Sequence, residues 1–329
     1  MKITKASGIL LLTGLLAFSP GAFAGSDKND VNAIGDRRVA HRSIISQEKE
    51  IAIGKQYATQ IEKQAKIVKD PVVAEYVNRI AQNIARNSDL TIPLTVKVID
   101  DPSINAFALP GGFLFVNTGV LMAADEESQL AGVIAHEVAH VAARHWASQM
   151  TKATILQYAT IPLIFIPMTY PVYMGVSSAM NLGIPMAFLK FSRSDEAEAD
   201  FLGLQYMYKA GYDPNSYVSF FSKVINEERR QPGSAAKIFM DHPPTPDRII
   251  KCEQEIKNIL PKRQEYLVTT SEFNDVKTRM KTLIALNKNT EKKSSPTLRR
   301  RAPDESTSGS EGKGSSQDDD KPPVLKRRD

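Results

Sequence analysis

The chain has 329 residues, of which 42% are hydrophobic and 24% are charged, a composition typical of a globular protein with one or two hydrophobic cores. The formal net charge is +5 and falls to +3 without the first 24 residues, which hold two lysines and no acidic residue. This small charge excludes nucleic acid as an expected partner, and a single cysteine, Cys252, excludes an internal disulfide bond.

The amino-terminal residues have the pattern of an export signal. Lys2 and Lys5 precede an apolar run, Ile9–Phe18, and Ala22 and Ala24 form the small-x-small pattern that a signal peptidase recognises. We expect cleavage after Ala24 and export to a bacterial periplasm. An uncleaved membrane anchor is the alternative, although the run is shorter than the ~20 residues of a membrane span.

Residues 25–45 are expected to be a linker to a domain of residues 46–285. Apolar residues at helical spacing predict one helix from Ser46 to about Gln64, with Ser46 as its N-cap, and a second from Pro71 to Arg86. The β-branched run Leu94–Asp100 predicts a short strand.

A second strand is predicted over Phe113–Gly119, after a turn at Pro110-Gly111-Gly112. This strand has two interpretations. It is either an edge strand that pairs with an extended peptide in a cleft or an internal strand of a small sheet.

A long helix is predicted from about Asp125 to Ala147, and it contains three of the five histidines of the chain. His136 and His140 are one helical turn apart on one face, where both imidazoles can bind one ion. Glu137 is rotated by roughly 100° and can reach a water bound to that ion. This is the H-E-x-x-H arrangement of zinc peptidases. His145 is expected on the opposite side of the helix, with a surface or packing role.

A chance occurrence of this motif is the alternative, and the surrounding residues argue against it. They are apolar, which predicts a buried helix, and an unpaired polar group costs several kcal/mol there. A metal ion is the simplest partner for the two histidines and the glutamate.

A catalytic zinc ion needs a third protein ligand. The candidates lie in a helix that is predicted to begin with Ser192 or Ser194 as its N-cap and to end at Gly211. Glu196 and Asp200 share one face, while Glu198 lies on the opposite side. Gly203 would allow this helix to approach another closely. We expect Glu196 to bind the metal and Asp200 to support a ligand histidine; a solvated acidic first turn is the alternative.

Three further segments have simpler patterns. Helices are predicted from Asp213 to about Arg229 and from Thr245 to before Pro261. The apolar, proline-rich segment Ile155–Phe191 is interpreted as a core hairpin, a lid over the cleft, or a surface that contacts membrane or unfolded envelope proteins. Residues 286–329 are expected to form a disordered charged tail.

Five sequence stretches resemble the gluzincin metallopeptidases, the group of the CaaX prenyl protease, the heat-shock membrane protease HtpX and the beta-barrel assembly-enhancing protease. The resemblance covers Gln47 to Asn274. The stretches are "NAFALPGG", "HEVAH", "SRSDEAEAD", "DHPPTPDR" and the weaker "SEFNDVKTRM". It implies an α+β, mostly helical, zincin-like catalytic domain with a small sheet whose edge strand borders the active-site cleft.

The resemblance also implies the site. His136, His140 and Glu196 would bind one Zn²⁺ per chain, and Glu137 would be the catalytic acid and base. Asp200 would support a ligand. A His-Pro pair and a later arginine of the family match His242-Pro243 and Arg248, with His242 supporting the oxyanion or gating the site.

The chain departs from the membrane-embedded members because no membrane span is expected after the signal. It departs from the assembly-enhancing protease in having the charged tail where that protein has a tetratricopeptide domain. The expected function is a zinc metalloendopeptidase for quality control of unfolded or misassembled envelope proteins. The alternatives are a latent, gated protease acting as a periplasmic chaperone or binding protein, and a structural zinc site. Peripheral contacts with a membrane or with the outer-membrane assembly machinery are expected as further partners.

Overall fold

The computed structural model describes residues 28–160, 190–230, 242–243 and 245–294. The predicted signal peptide, most of the apolar segment 155–191 and the tail after residue 294 lie outside the described residues.

Two helices pack beside the sheet and match the sequence prediction. Helix α1 (Gln47–Gln64) begins at Ser46, whose side chain accepts a hydrogen bond from the N–H of Lys49. Helix α2 (Pro71–Arg86) begins at Asp70, with proline at its first position. All five apolar residues that predict α2 are buried in the main core: Val73, Tyr76, Val77, Ile80 and Ile84.

Three short strands form one mixed sheet: β1 (Thr95–Ile99), β2 (Ala106–Leu109) and β3 (Phe113–Asn117). The order is β1-β3-β2, with β3 parallel to β1 and antiparallel to β2. The interpretation of Phe113–Gly119 as an edge strand is therefore wrong, and its alternative, an internal strand, is confirmed. The edge strand next to the helix that carries the histidine motif is β2. The sequence did not indicate this strand because it is short and precedes a proline.

A glycine pair makes the tight connection between β2 and β3. Gly111 and Gly112 have φ angles of 77° and 87°, in the left-handed region that favours glycine. A Cβ atom at Gly111 would lie 2.4 Å from the Cα of Ile51 in α1. The missing side chains thus allow the hairpin to pack on α1.

The helix that carries the histidine motif is shorter than predicted. Helix α3 (Thr118–Ala123) follows β3, α4 (Glu127–Ala142) is buried at every residue, and α5 (His145–Thr160) follows a break. Arg144 causes the break with a φ angle of 56°, and its Nε lies 2.9 Å from the buried carboxylate of Glu50. The prediction of one helix through Ala147 is wrong, and so is the predicted direction of His145.

Four more helices follow among the described residues: α6 (Arg193–Ala210), α7 (Asn215–Arg230), α8 (Pro246–Ile259) and α9 (Ser271–Ser294). Helix α6 begins with a capping box between Ser192 and Asp195 and ends at Gly211 in the left-handed conformation. Helix α9 was not predicted, and it includes residues 286–294 of the segment expected to be disordered.

Residues 28–45, predicted as a linker, contribute to the core. Val31, Ile34 and Val39 are buried, and the Arg37 guanidinium forms a fully buried ion pair with Asp89 at 2.9 Å. The α+β, mostly helical fold class with a small sheet is confirmed. Among the described residues, no helix has the length and apolar character needed to span a membrane.

Candidate metal centre

Helix α4 places two imidazoles side by side in the core. The Nε2 atoms of His136 and His140 are 3.1 Å apart, and both residues are buried. The separation follows from their spacing of one helical turn.

Helix α6 brings a carboxylate to the same point. Glu196 Oε2 lies 3.5 Å from His136 Nε2, and Oε1 lies 3.6 Å from His140 Nε2. Atoms that bind one ion at about 2.0–2.2 Å are separated by about this distance in a tetrahedral site. The three side chains are therefore arranged to bind one divalent cation.

A glycine on α6 allows this convergence, in agreement with the sequence prediction. A Cβ atom at Gly203 would lie 3.2 Å from the backbone nitrogen of His136 and 3.3 Å from the carbonyl carbon of Ala135. Such distances are close to the limit for real contacts, so the two backbones approach as closely as a glycine permits.

The structure also brings His242 to the cluster. Its Nδ1 lies 2.7 Å from Glu196 Oε1, and its Nε2 lies 3.6 Å from Glu137 Oε1. His136, His140, Glu196 and His242 each offer one ligand atom within 4.8 Å of the others, and all four residues are buried. His242 is thus close enough to act on the metal or on a ligand.

Glu137 lies beside the cluster without joining it. Its Oε2 accepts a hydrogen bond from the N–H of Ala108 in β2 at 3.0 Å. Among the described residues, no side chain or backbone group makes a hydrogen bond with its Oε1. Burial raises the pKa of Glu137, while the positive charges of His242 and His136 oppose the shift. A carboxyl group with a raised pKa and one oxygen without a hydrogen bond is suited to accept and release a proton.

The other nitrogen of His136 is held by a separate set of groups. Its Nδ1 lies 3.1 Å from Asp200 Oδ1 and 3.0 Å from the hydroxyl oxygen of Tyr217. An Nδ1–H that donates to Asp200 leaves the lone pair of Nε2 directed at the cluster, which is the tautomer that metal binding needs.

Arg248 of α8 connects the two carboxylates of α6. Its Nε and Nη2 donate to Asp200 at 2.8 Å and 2.7 Å, and its Nη1 lies 3.0 Å from Glu196 Oε2. Burial opposes the ionisation of Asp200, but the hydrogen bonds from Arg248 lower the pKa of that carboxyl group. The single positive charge of Arg248 balances only one of these two carboxylates, so one negative charge remains to attract a cation.

The pKa values of the two ligand histidines move in opposite directions. Burial alone would lower the pKa of His136, but the hydrogen bonds with Asp200 and Glu196 outweigh it and raise the value to about 9. Burial and the nearby charges of His136 and His242 lower the pKa of His140 well below its usual range. Metal binding would therefore release a proton from His136.

The charge and hydrogen bonding of Glu196 also indicate that the cluster binds a metal ion. Glu196 Oε2 is buried and has no partner with hydrogen-bond geometry in the described part of the chain, although Arg248 is near. His136 and His242, whose ring nitrogens lie close to its two oxygens, hold the pKa of the Glu196 carboxyl group below its usual range despite burial. An ionised, incompletely satisfied carboxylate in the core needs a cation.

The sequence predictions gave several neighbours of the site no role in it. Tyr217 belongs to no motif, and its role depends on how α7 packs against α4. Phe191 stacks on His140 with ring centroids 4.2 Å apart, and Ala108 lies in the strand that was not predicted. His145 is buried, with its Nδ1 2.9 Å from His140 Nδ1.

Comparison with known proteins decides the family. The sequence model of peptidase family M48 matches residues 71–256, which are more than half of the chain. The chain belongs to this family. The resemblance to gluzincin metallopeptidases and the prediction of a metalloendopeptidase are thereby confirmed.

Curated relatives of this M48 chain have consistent names. It is 30% identical to the putative beta-barrel assembly-enhancing protease of Vibrio cholerae over 241 residues, which are 71% of the chain and 49% of the relative. The beta-barrel assembly-enhancing protease of Escherichia coli is 26% identical over 258 residues, 77% of the chain and 53% of the relative. The mitochondrial metalloendopeptidase OMA1 of Schizosaccharomyces pombe is 34% identical over 192 residues, 57% of the chain and 55% of the relative. The chain spans about half the length of these relatives.

Proposed function

We propose that the chain is a zinc-dependent endopeptidase of the bacterial cell envelope that hydrolyses unfolded or misassembled outer-membrane proteins. The observation that carries this proposal is the convergence of His136, His140 and Glu196, with Glu137 beside them. A structural zinc site closes its fourth position with a protein ligand and has no need of an adjacent carboxyl group.

Zinc is the ion that suits two imidazoles and one carboxylate at tetrahedral spacing. When bound, Zn²⁺ lowers the pKa of a water in its open coordination position to about 7 and polarises a peptide carbonyl. Glu137 Oε1 would accept a proton from the attacking water and pass it to the leaving amine. Burial favours this exchange because it raises the pKa of the carboxyl group.

The edge strand β2 offers a surface for an extended peptide. The N–H of Ala108 points at Glu137 and away from β3. Hydrogen-bonded and outward-facing residues alternate along an antiparallel strand, so Ala106 faces the same way. A substrate strand added along this edge would run past Glu137 and the metal ligands.

Two observations support the envelope as the place of action. The amino-terminal sequence has the pattern of a cleaved export signal. Two of the relatives are named beta-barrel assembly-enhancing proteases. Unfolded outer-membrane proteins offer the extended segments that an edge strand can bind.

A latent protease that acts mainly as a periplasmic chaperone is the second candidate, and the position of His242 favours it. Its Nδ1 lies 2.7 Å from Glu196 Oε1, so it is able to hold a ligand carboxylate and to block access to the metal. In a gated protease, His242→Ala increases cleavage. If the chain is a chaperone, neither the wild type nor His242→Ala cleaves, and both suppress aggregation of an unfolded outer-membrane protein.

The decisive experiment compares Glu137→Gln with Glu253→Gln, a matched change at an exposed position of α8. We expect Glu137→Gln to keep the zinc ion of the candidate metal centre and to lose cleavage of an unfolded outer-membrane protein. Glu253→Gln should cleave at the wild-type rate. Undiminished cleavage by Glu137→Gln would refute the proposed function.

A further inference from the structure

A second group of metal-ligand side chains lies next to His140, outside the candidate centre. Glu198 Oε2 is 2.7 Å from His41 Nε2 and 3.3 Å from His145 Nε2. Each of the three residues offers one ligand atom within 4.8 Å of the others. None of them takes part in the chemistry proposed for the first site.

The cluster is assembled from three parts of the fold. His41 belongs to the amino-terminal segment and is fixed by a backbone hydrogen bond from its N–H to the carbonyl of Ala143 at 2.9 Å. His145 begins α5 directly after the break at Arg144, and Glu198 lies on α6. The break that ends α4 therefore directs His145 toward Glu198.

The cluster is accessible to an ion from solvent. The side chain of His145 is fully buried, but that of His41 is 33% exposed. Lys28 binds Glu198 Oε1 at 2.6 Å, and its side chain is 44% exposed. Because such exposed ion pairs are weak, the ammonium can leave when a metal ion arrives.

We propose that His41, His145 and Glu198 form a second, inhibitory site for a divalent transition metal, with Zn²⁺ as its natural occupant. The ion would bind His41 Nε2, His145 Nε2 and Glu198 Oε2, with water as the fourth ligand. The distance from His145 Nε2 to Glu198 Oε2 already equals the ~3.3 Å separation of ligand atoms in a tetrahedral zinc site. The His41 Nε2–Glu198 Oε2 distance of 2.7 Å would have to lengthen toward the same value, and the His41 side chain is partly exposed and can move.

The inhibitory effect follows from the hydrogen bond between the two sites. His145 Nδ1 lies 2.9 Å from His140 Nδ1. When His140 binds the first metal through Nε2, its proton is on Nδ1 and is donated to His145 Nδ1. His145 then carries its own proton on Nε2, which donates to Glu198.

A metal ion at the second site reverses this arrangement. It takes the lone pair of His145 Nε2, and the proton of that imidazole moves to Nδ1. Two N–H groups would then face each other at 2.9 Å, so His140 would lose its acceptor and be pushed from its position. The two ions therefore weaken each other, and by linkage the penalty is mutual. This antagonism rests on the proposed function of the first site, whereas the existence of the second site does not.

The experiment titrates the full chain with Zn²⁺ and counts bound ions by native mass spectrometry and calorimetry. The wild type should bind two ions, the second at least tenfold more weakly. His41→Ala and His41→Asn should bind one, while Arg42→Ala, at an exposed neighbouring position, should bind two. Lys28→Ala should bind the second ion several-fold more tightly because the competing ammonium is gone. A wild type that binds only one ion, or a His41 variant that still binds two, would overturn the proposal.

The antagonism is tested separately by measuring cleavage at each Zn²⁺ concentration. Excess Zn²⁺ should inhibit the wild type over the concentration range that fills the second site. His41→Ala should resist this inhibition and should match the wild-type rate at one equivalent of Zn²⁺. Two bound ions with undiminished cleavage would overturn the antagonism. If no protein cleaves, the proposed function fails, but the ion count still decides whether the second site exists.

Discussion

The carboxylate of Asp200 lies 3.1 Å from Nδ1 of His136, on the opposite side of the imidazole from the metal-ligand cluster. Glu196, one turn earlier on α6, lies 3.5 Å from Nε2 of the same ring. One helix therefore supplies a carboxylate for each nitrogen of one histidine. This arrangement fixes both the orientation and the tautomer of His136.

Asp200→Asn should weaken zinc binding by about 10–100-fold, because the ring of His136 loses the acceptor that fixes its tautomer. It should also destabilise the fold by about 3 kcal/mol, since Arg248 then lacks one of its buried counter-ions. Chelator competition, well below the unfolding temperature, measures the affinity separately from the stability. Asp275→Asn, at an exposed position of α9, is the control. Equal zinc affinity in Asp200→Asn and the control would contradict the assigned role.

Gly203→Ala should destabilise the protein by about 1–3 kcal/mol, because the new methyl group would lie 3.2 Å from the backbone of His136. Helix propensity alone predicts the opposite, a gain of about 1 kcal/mol. Zinc affinity should fall as well, since α6 also carries Glu196. Urea denaturation and zinc competition measure both effects.

A graded series strengthens the Gly203 test. Gly203→Val should be more damaging than Gly203→Ala in both measurements, because the larger side chain separates α4 from α6 further. A stabilised Gly203→Ala would show that the two helices do not need this close contact.

Glu255→Gln should remove a pH dependence of stability. Burial, and then the charge of Asp200, raise the pKa of Glu255 from its ordinary value of 4.5 to about 7. Between these values the native state binds more protons than the unfolded state, so wild-type stability falls as pH rises from about 5 to about 8. Relative to Glu255→Gln, the loss should be about 1–2 kcal/mol after allowance for solvent screening of this partly exposed group.

Urea denaturation at pH 5 and pH 8 checks this expectation, with Glu253→Gln as the exposed control. From pH 5 to pH 8 the free energy of unfolding of the wild type should fall relative to that of Glu255→Gln. The control should show the same pH dependence as the wild type. A difference that is constant in pH would mean that Glu255 is ionised in the native state throughout.

Local sequence patterns predicted much of the fold because they depend on neighbouring residues. The caps at Ser46 and Ser192 and the glycine at the end of α6 follow from backbone chemistry within one turn. The H-E-x-x-H spacing placed His136 and His140 correctly for the same reason. The shared face of Glu196 and Asp200 is also a property of a single helix.

The remaining features depend on tertiary contacts that no short window contains. Strand β2 exists because it pairs with β3, and its four residues are too few to show alternation. The break at Arg144 is supported by its ion pair with the distant Glu50. His145 was therefore predicted to point away from His140, whereas the chain turns it toward that residue. Tyr217 reaches the site only because α7 packs against α4.

The arrangement of the metal centre is tested most directly by anomalous X-ray diffraction at the zinc absorption edge, on crystals of the protein with one equivalent of Zn²⁺. The structure predicts one strong peak within about 2.0–2.2 Å of His136 Nε2, His140 Nε2 and a carboxylate oxygen of Glu196. Glu137 should lie beside the ion without binding it. A peak elsewhere, or one without Glu196 among its ligands, would contradict the account.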